Sequence, residues 1–432
     1  MKTTRRIFLK NGAMAVVAAG IGPAFGPSFL RSTAFAAEPN RNGKASGGRK
    51  ILICIFQRGA VDGLSMVVPH GDPFYYQHRT LNGIALPRTG EGGVLDLDGM
   101  FGLHPAMASL KKIYDQKHLV AVQAVGSHHA TRSHFDAQDF MEGAIFDKAA
   151  RNGWLARTLE NCPEDAANHS TFRGVSLTNR VPRSFQGYPD ALAIPNLDTF
   201  DVKEEMLMMG GRRGNVDGFE SLYDGAVGDV LHSTGQDTFE ALKQLRAITS
   251  KPYAPARGAA YPGGKFGESL RQIAQLIKAD VGLEVAFAES GGWDTHANQG
   301  SSQGNLARRL GEFSNGIAAL YTDLGDRMND VVILTMSEFG RTVRQNGNSG
   351  TDHGHGTCFL ALGGNVQGGK VLGQWPGLAP EQLYENRDLA VTTDFRNVFS
   401  EIAQKHMGVR DLKTVFPDYV MGQEKFRGVL GV

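Results

Sequence analysis

A glycine-rich loop in the last quarter of the chain concentrates side chains that bind metal ions. Residues 350–356 read G-T-D-H-G-H-G, so Asp352, His353 and His355 lie within four positions, and Glu338 stands upstream, just after an apolar run. Carboxylate oxygens and imidazole nitrogens are donors that zinc, manganese and iron take in proteins. The spacing therefore predicts a metal site. The alternative is a polar loop whose Asp and His side chains only cap backbone groups.

A second carboxylate and imidazole pair strengthens this prediction. Asp294 and His296 follow a glycine pair and are two positions apart, so both can turn toward one ion, and Asp62 comes shortly after an early apolar run. Asp62 by itself is as typical of a helix or turn cap as of a metal ligand. If the apolar runs that precede these residues are parallel strands, all of them gather with the first loop at one edge of the sheet.

Hydroxyl groups and an arginine occupy a third segment of interest. Thr131, Arg132 and Ser133 lie between a predicted strand and a helix predicted to begin at His134. The free N–H groups and positive dipole end of a helix N-terminus favour an anion, so this segment suits a nucleophile beside an anion site. In the alternative interpretation, Ser133 caps the helix and Asp136 completes a capping box.

The elements that must position these residues are visible as periodic apolar patterns. Apolar runs without polar alternation predict buried strands at residues 51–56, 119–125, 283–288, 331–336 and 357–362. Apolar stripes at helical spacing predict helices between them. Strands that alternate with such helices predict one α/β domain over residues 51–432, with a mostly parallel central sheet, helices on both faces and a helical insertion near 196–262.

The N-terminus carries an export signal. Residues 4–10, T-R-R-I-F-L-K, form a twin-arginine pattern, and an Ala- and Gly-rich apolar stretch leads to the cleavage pattern A-F-A at 34–36. The alternatives are an ordinary secretory signal or a membrane anchor, but glycines and prolines make the stretch less apolar than a spanning helix. We predict a signal peptide at 1–36, a flexible lead-in at 37–50, the twin-arginine translocase as partner during export, and a periplasmic or secreted mature chain without a membrane span.

Composition bounds the remaining possibilities. The net charge is +1 at pH 7 and basic residues are not clustered, which argues against nucleic acid as a partner. Of the three cysteines, Cys54 and Cys358 lie inside apolar runs. We predict that both are buried small hydrophobic residues rather than disulfide partners.

Seven motifs together resemble one protein family. They are R-G-A-V-D-G-L at 58–64, F-G-L-H-P at 101–105, S-H-F-D at 133–136, G-G-W-D-T-H at 291–296, S-E-F-G-R-T at 337–342, G-T-D-H-G at 350–354 and T-T-D-F-R at 392–396. With the twin-arginine signal, the chain resembles the exported bacterial domain of unknown function 1501 family over nearly its whole mature length. That family is more remotely similar to the alkaline phosphatase and sulfatase superfamily. The resemblance implies a central sheet that carries one or two divalent metal ions beside a nucleophile.

The resemblance also implies roles for individual residues. His353 matches a metal ligand of the superfamily, Asp294 and His296 resemble the aspartate and histidine of its first metal, and Asp62 resembles the aspartate that ends its first strand.

Two departures from the superfamily pattern bear on the chemistry. Ser337 and Glu338 stand where the superfamily has Asp-His for its second metal, so we expect one ion rather than two. The sequence contains no C-x-P-x-R motif, which argues against a formylglycine sulfatase.

These observations lead to a functional hypothesis with one rival. The chain is predicted to be an exported hydrolase of small phosphate or sulfate esters that uses a divalent cation, namely zinc, manganese, magnesium or calcium. The candidate metal ligands are Asp62, Asp294, His296, Glu338, Asp352, His353 and His355, and the candidate catalytic residues are Thr131, Arg132 and Ser133. The rival is a non-catalytic exported protein that keeps the fold and binds a ligand or a surface partner. The dense Asp/His loop favours the enzyme, whereas the changed second-metal position favours the rival.

Overall fold

The computed structural model describes residues 49–147, 150–163, 170–199, 243–419 and 426–431, together with the backbone of two short strands near the N-terminus. Those strands, β1 (Phe8–Lys10) and β2 (Ala13–Ala15), pair antiparallel inside the predicted signal peptide. Nearly all of the predicted lead-in and most of the predicted helical insertion lie outside the described residues, although residues 243–249 are helical. No helix in the described ranges is both long and apolar enough to cross a bilayer.

The other described strands and helices alternate along the chain. The strands are β3 (Ile51–Arg58), β4 (Val67–Val68), β5 (Leu95–Asp96), β6 (Gly102–Leu103), β7 (Leu119–Gly126), β8 (Gly174–Ser176), β9 (Leu192–Ala193), β10 (Val285–Gly291), β11 (Val331–Met336), β12 (Thr357–Gly363), β13 (Lys370–Leu372) and β14 (Thr393–Asp394). The helices are α1 (Gly63–Met66), α2 (Tyr75–His78), α3 (Ala108–Asp115), α4 (His134–Gly143), α5 (Trp154–Asn161), α6 (Lys265–Lys278), α7 (Asn305–Leu324), α8 (Phe395–Lys405) and α9 (Leu412–Val415).

A nine-stranded sheet forms the centre of the molecule. Its order is β13-β7-β12-β11-β3-β10-β8-β9, and β14 also pairs with β7. β12 runs antiparallel to both of its neighbours, and the other described pairings in this sheet are parallel. The prediction of an α/β fold with a mostly parallel sheet is confirmed. A smaller antiparallel sheet contains β4, β6 and β5.

Alternate side chains of β3 enter two different cores, because successive residues of a strand point to opposite faces. On one face, Ile51, Ile53 and Ile55 pack with apolar side chains of α3, α6 and α7. On the other face, Leu52, Cys54 and Phe56 pack with those of α5 and α8. Helices therefore cover both faces, as predicted. Cys54 and Cys358 are buried and free, also as predicted, and Cys162 is buried as well.

The sheet brings four loops to one end. β3, β7, β10 and β11 all run in the same direction, so their carboxyl ends lie together, and the antiparallel β12 begins at that same end. The segments that follow β3, β7 and β10, and the loop between β11 and β12, contain every candidate site residue. We call this end of the sheet the carboxyl edge.

Candidate metal centre at the carboxyl edge

Four side chains from three loops converge at the carboxyl edge. Asp294 and His296 follow β10, His353 belongs to the loop before β12, and His134 is the first residue of α4, which follows β7. We call these four residues the imidazole cluster. Asp294, His296 and His353 were predicted as metal ligands from the sequence, whereas His134 was predicted only as the start of a helix.

The donor atoms of the imidazole cluster are close enough to share one ion. His353 Nε2 lies 3.0 Å from His134 Nε2 and 3.0 Å from His296 Nε2. Asp294 Oδ1 lies 3.0 Å from His296 Nε2 and 3.3 Å from His353 Nε2. One donor atom each from His134, Asp294 and His353 all lie within 4.8 Å of one another. Atoms bound to a common ion at about 2 Å are separated by comparable distances.

Hydrogen bonds at the opposite ring nitrogens assign the imidazole protons. Each Nδ1 faces an oxygen acceptor: the Arg132 carbonyl at 2.8 Å from His353, Glu338 Oε1 at 2.8 Å from His134, and Asp352 Oδ1 at 3.0 Å from His296. These acceptors place the proton on Nδ1 and leave Nε2 as a bare lone pair. His353 Nε2 then faces the lone pairs of His134 Nε2 and His296 Nε2 across two 3.0 Å contacts, an arrangement that a proton or a metal cation between the nitrogens relieves. The residues present therefore fit a metal ion, because oxygen acceptors of this kind typically orient histidine ligands.

Glu338 is a partner of the cluster rather than a member of it. Its Oε1 accepts hydrogen bonds from His134 Nδ1 at 2.8 Å, Gln138 Nε2 at 2.9 Å and the Gly59 N–H at 2.9 Å. Burial raises the pKa of Glu338, but the hydrogen bonds from His134 and Gln138 outweigh it and hold the pKa below its usual value. The same contact raises the pKa of His134. The structure thus places this predicted ligand outside the cluster, as the group that orients His134.

Asp294 is held by a buried arginine. Arg341 is 1% exposed, and its Nη1 donates to Asp294 Oδ1 at 2.6 Å while its other groups donate to Thr351. Burial raises the pKa of Asp294, but the hydrogen bond and charge of Arg341 outweigh it, so the pKa is lowered. Asp294 is therefore ionised and remains 41% exposed, with its second oxygen 3.5 Å from His134 Nε2.

Asp62 lies apart from the cluster, in a sealed ion pair. Its side chain is fully buried and accepts from Arg79 Nη1 at 2.8 Å and Nη2 at 3.0 Å. Ser65 Oγ and Gln299 Nε2 donate to its Oδ2 at 2.8 Å and 2.7 Å. Both oxygens are thus committed to protein donors. The structure does not bring this predicted ligand to the candidate metal position, because Arg79 folds back onto it. The sequence gives no sign of that contact.

The other two predicted ligands of the 350–356 loop also have different positions. Asp352 Oδ1 accepts from His296 Nδ1 and from Asn346 Nδ2, both at 3.0 Å, so it orients His296 from outside the cluster. His355 is buried and stacks on Tyr384, with ring centres 4.2 Å apart. Burial lowers the pKa of His355 to about 4. The structure therefore keeps His355 as a neutral packing residue away from the cluster.

The hydroxyl segment borders the cluster, but its arginine is already paired. Arg132 Nη2 donates to Glu385 at 2.6 Å and to Asp388 at 2.8 Å. Ser133 occupies the N-cap position of α4, yet it is exposed and makes no cap hydrogen bond, so the capping interpretation of Ser133 does not hold. Thr131 Oγ1 accepts from the Ser133 N–H at 3.2 Å. Ser133 is the hydroxyl of this segment that is left free, directly before His134.

His134 could have been found from its position in the sequence. It lies at a predicted strand-to-helix turn, and the preceding strand is one of those that end at the carboxyl edge. An imidazole at such a turn is as well placed as those after β10 and before β12. Its sequence separation of 219 residues from His353 hides their contact.

Comparisons with known proteins identify the family of this chain. Among solved structures, the PsFucS1 sulfatase from Pseudoalteromonas sp. is 9% identical over 84% of this chain and 68% of its own, with a TM-score of 0.37. The alkaline phosphatase from the Antarctic bacterium TAB5 is 11% identical over 73% and 91%, with a TM-score of 0.29. No curated protein matches the chain. The family model described as Protein of unknown function (DUF1501) matches residues 49–419, and the chain therefore belongs to the family that its motifs resemble.

Proposed function

We propose that this protein is an exported, metal-dependent hydrolase of phosphate or sulfate esters, with one divalent cation held by His134, Asp294, His296 and His353. The observation that carries the proposal is that His134 Nε2 and His296 Nε2 both lie 3.0 Å from His353 Nε2, while each of the three Nδ1 atoms faces an oxygen acceptor. A site whose donor atoms fit a cation, at the carboxyl edge of a mostly parallel sheet and open to solvent, suits catalysis on an anion.

The donor set narrows the identity of the ion. Three imidazole nitrogens and one carboxylate oxygen suit zinc or another borderline transition ion, whereas magnesium and calcium prefer oxygen ligands. A second ion finds no ready ligand set in the described residues, because Asp62 is sealed by Arg79 and Glu338 is engaged by His134. We therefore propose one ion, with zinc as the best fit.

The residues around the cluster have definable tasks. A divalent ion, when bound, supplies Lewis acidity toward an ester oxygen and lowers the pKa of a nearby nucleophile. Ser133 precedes His134, is exposed, and makes no capping hydrogen bond, so we assign its hydroxyl as the attacking group. The first N–H groups of α4 carry no side-chain cap and are available to an ester oxyanion. Glu338 and Asp352 keep His134 and His296 in the required tautomer.

The N-terminal sequence supports the export part of the proposal. The twin-arginine pattern and the A-F-A cleavage pattern suit delivery to the periplasm by the twin-arginine translocase. Substituting Arg5 and Arg6 by Lys should leave the precursor in the cytoplasm, which fractionation and immunoblotting would detect. Normal secretion of that variant would contradict the twin-arginine route.

One observation favours the non-catalytic rival. Two arginines near the cluster, Arg132 and Arg341, are both engaged by carboxylates. A ligand-binding protein without turnover needs no anion clamp beside the cation. In this rival the protein retains the metal centre but does not hydrolyse an ester.

Metal content and turnover, measured on the same preparation, separate the two functions. Elemental analysis of protein purified from the periplasm should find one ion per chain. A panel of aryl phosphates, phosphodiesters and sulfates should contain a substrate, and Ser133→Ala should abolish its turnover with metal content unchanged. Thr131→Ala is the matched control and should retain turnover. Metal-loaded protein that hydrolyses none of the panel would favour the binding protein, and two ions per chain would contradict the single site.

A further inference from the structure

A cavity of about 480 Å³ opens at the carboxyl end of β10, the strand that precedes Asp294 and His296. Its wall is formed by the ends of two strands, the start of α6 and one face of α7, and it includes Arg58, Lys265, Glu289, Gly291, Arg309 and Glu312. Gly291 lies three residues before Asp294 in the sequence. Three residues of extended chain span about 11 Å at most, so an elongated molecule with one end at the cluster is long enough to reach this cavity.

Three basic and two acidic side chains line the cavity, and they are not equally available. Arg58 is already neutralised, because its Nη1 lies 2.6 Å from Glu142 and its Nη2 lies 2.6 Å from Glu289. In the described part of the chain, neither Arg309 nor Lys265 has a carboxylate within ion-pair distance. With Glu289 paired, these two cations face Glu312 alone. Arg309 and Lys265 are thus the two cations of the cavity that lack an ion-pair partner among the described residues.

Arg309 connects the cavity to the loop that carries Asp294. A Cβ atom placed on Gly292 would lie 2.4 Å from Arg309 Cζ, so the guanidinium rests where a side chain would otherwise be. Gly292 also has a φ of +84°, which disfavours other residues. The glycine therefore lets Arg309 lie against the backbone two residues before a cluster member. This places an unpaired cation next to the proposed reaction site, in contrast with Arg132 and Arg341.

The N-terminus of α6 also favours an anion in this cavity. This helix has 14 residues, and its N-cap, Gly264, provides no side-chain hydrogen bond to the first N–H groups. Gly263, Gly264 and Gly267 line the cavity together with Lys265. Uncapped N–H groups and the positive end of the helix dipole reinforce the attraction of Lys265 and Arg309 for an anion.

We propose that Arg309 and Lys265 bind a second anionic group of the substrate in this cavity, so that the substrate class is an ester that carries at least two negatively charged groups. This inference rests on the proposed ester hydrolysis for its substrate, but the anion site itself is independent of turnover. A guanidinium and an ammonium can both donate to a phosphate or sulfate oxygen, and such charge-assisted bonds are the strong ones.

Anion binding to the mature chain provides the first test. Inorganic phosphate and pyrophosphate are titrated calorimetrically into protein stripped of metal with a chelator, so that a bound cation contributes nothing. Arg309→Gln should weaken pyrophosphate binding about tenfold or more, and Lys265→Gln should weaken it in the same direction. Arg308→Gln is the matched control, because Arg308 is exposed on the same helix and its Nη2 donates to Asn305 Oδ1 at 3.2 Å. Unchanged binding in Arg309→Gln, or equal loss in Arg308→Gln, overturns the proposal.

Turnover provides the second test and separates this inference from the proposed function. With metal-loaded enzyme, Arg309→Gln should raise KM about tenfold for a bisphosphorylated hexose and leave KM for the monophosphorylated hexose unchanged. Hydrolysis in which both substrates respond alike to Arg309→Gln overturns the inference and leaves the hydrolase intact. If neither sugar is hydrolysed but pyrophosphate binding still depends on Arg309, the anion site stands and the hydrolase is contradicted.

Discussion

Asp62 and Asp294 follow two neighbouring parallel strands, yet their surroundings are opposite. β3 and β10 pair in parallel, from Leu52 and Val285 to Arg58 and Gly291. Both strands therefore end at the same edge of the sheet, and both carboxylates follow that edge. Asp62 is sealed against Arg79, whereas Asp294 is 41% exposed among three imidazoles. Burial raises the pKa of both, and arginine contacts lower both in net effect.

The difference lies in how many lone pairs remain for a cation. Arg79 engages both oxygens of Asp62, and Gln299 donates to it as well. Arg341 engages one oxygen of Asp294, and the imidazoles beside it point bare nitrogens at the same place. A carboxylate after a strand is therefore a metal ligand only if its neighbours leave it acceptor capacity. The sealed region stabilises the fold, and the open region is suited to bind an ion.

The largest expected effect is on the sealed side. Asp62→Ala removes the partner of a fully buried guanidinium, and breaking such a pair typically costs about 3–5 kcal/mol of unfolding free energy. Urea denaturation would measure the loss. Metal content per folded molecule should not change, because Asp62 does not contact the cluster.

The matched control removes both charges together. Asp62→Leu combined with Arg79→Met should recover most of the loss, because no unpaired charge stays buried. If Asp62→Ala instead strips the metal and leaves stability unchanged, Asp62 belongs to the metal site and the comparison fails.

The next largest expected effect is a pH dependence of the unfolding free energy, caused by a buried imidazole outside the cluster. His406 is 4% exposed and bonds the Ile51 carbonyl at 2.9 Å, and burial lowers its pKa to about 4. The unfolded chain binds this proton near pH 6.5, before the folded chain does, so stability is lost as pH falls from about 6.5 to 4. The loss approaches about 3 kcal/mol, since each pH unit corresponds to about 1.4 kcal/mol. In His406→Gln, denaturation at pH 7 and pH 4.5 should show a smaller fall than in wild type, and an equal fall would assign it to other groups.

On the open side, His353→Ala should weaken metal binding more than about 100-fold, which exceeds the usual effect of groups that only orient ligands. His353 Nε2 is the atom closest to the other members of the cluster. Titration with a zinc-selective competitor would measure the affinity. In metal-free protein the cost in stability should be small, because the side chain is 24% exposed. Retained zinc affinity would show that the lone pairs of His134 and His296 do not need this partner.

Substitution of the orienting carboxylates should have the smallest effects on metal affinity, and the two effects should differ. Glu338→Gln should weaken metal binding about 10–100-fold, since Glu338 is buried and orients His134. Asp352→Asn is the matched variant at His296, and it should weaken binding less because Asp352 is 53% exposed and water can replace it. The same competitor titration compares them. Equal effects would mean that burial of the acceptor does not matter here.

Much of the fold was predictable from local pattern. Buried parallel strands read as continuous apolar runs, because neither face meets water, and β3, β7, β10, β11 and β12 were all found in this way. β8 and β13 are only three residues long and lie near the rims of the sheet, where the pattern is too short to stand out. The antiparallel direction of β12 was not predicted, since an apolar run carries no sign of its direction.

The sequence by itself determined the chemistry available at the carboxyl edge, because residue type and the ends of apolar strands specify which donors gather there. Asp294, His296 and His353 were identified on that basis. Only the tertiary structure decided which lone pairs remain free. Glu338 turns to His134 across 204 residues, Arg79 turns back onto Asp62, and His134 meets His353 across 219 residues. Those choices depend on hydrogen bonds between loops from different strands, and nothing local in the sequence records them.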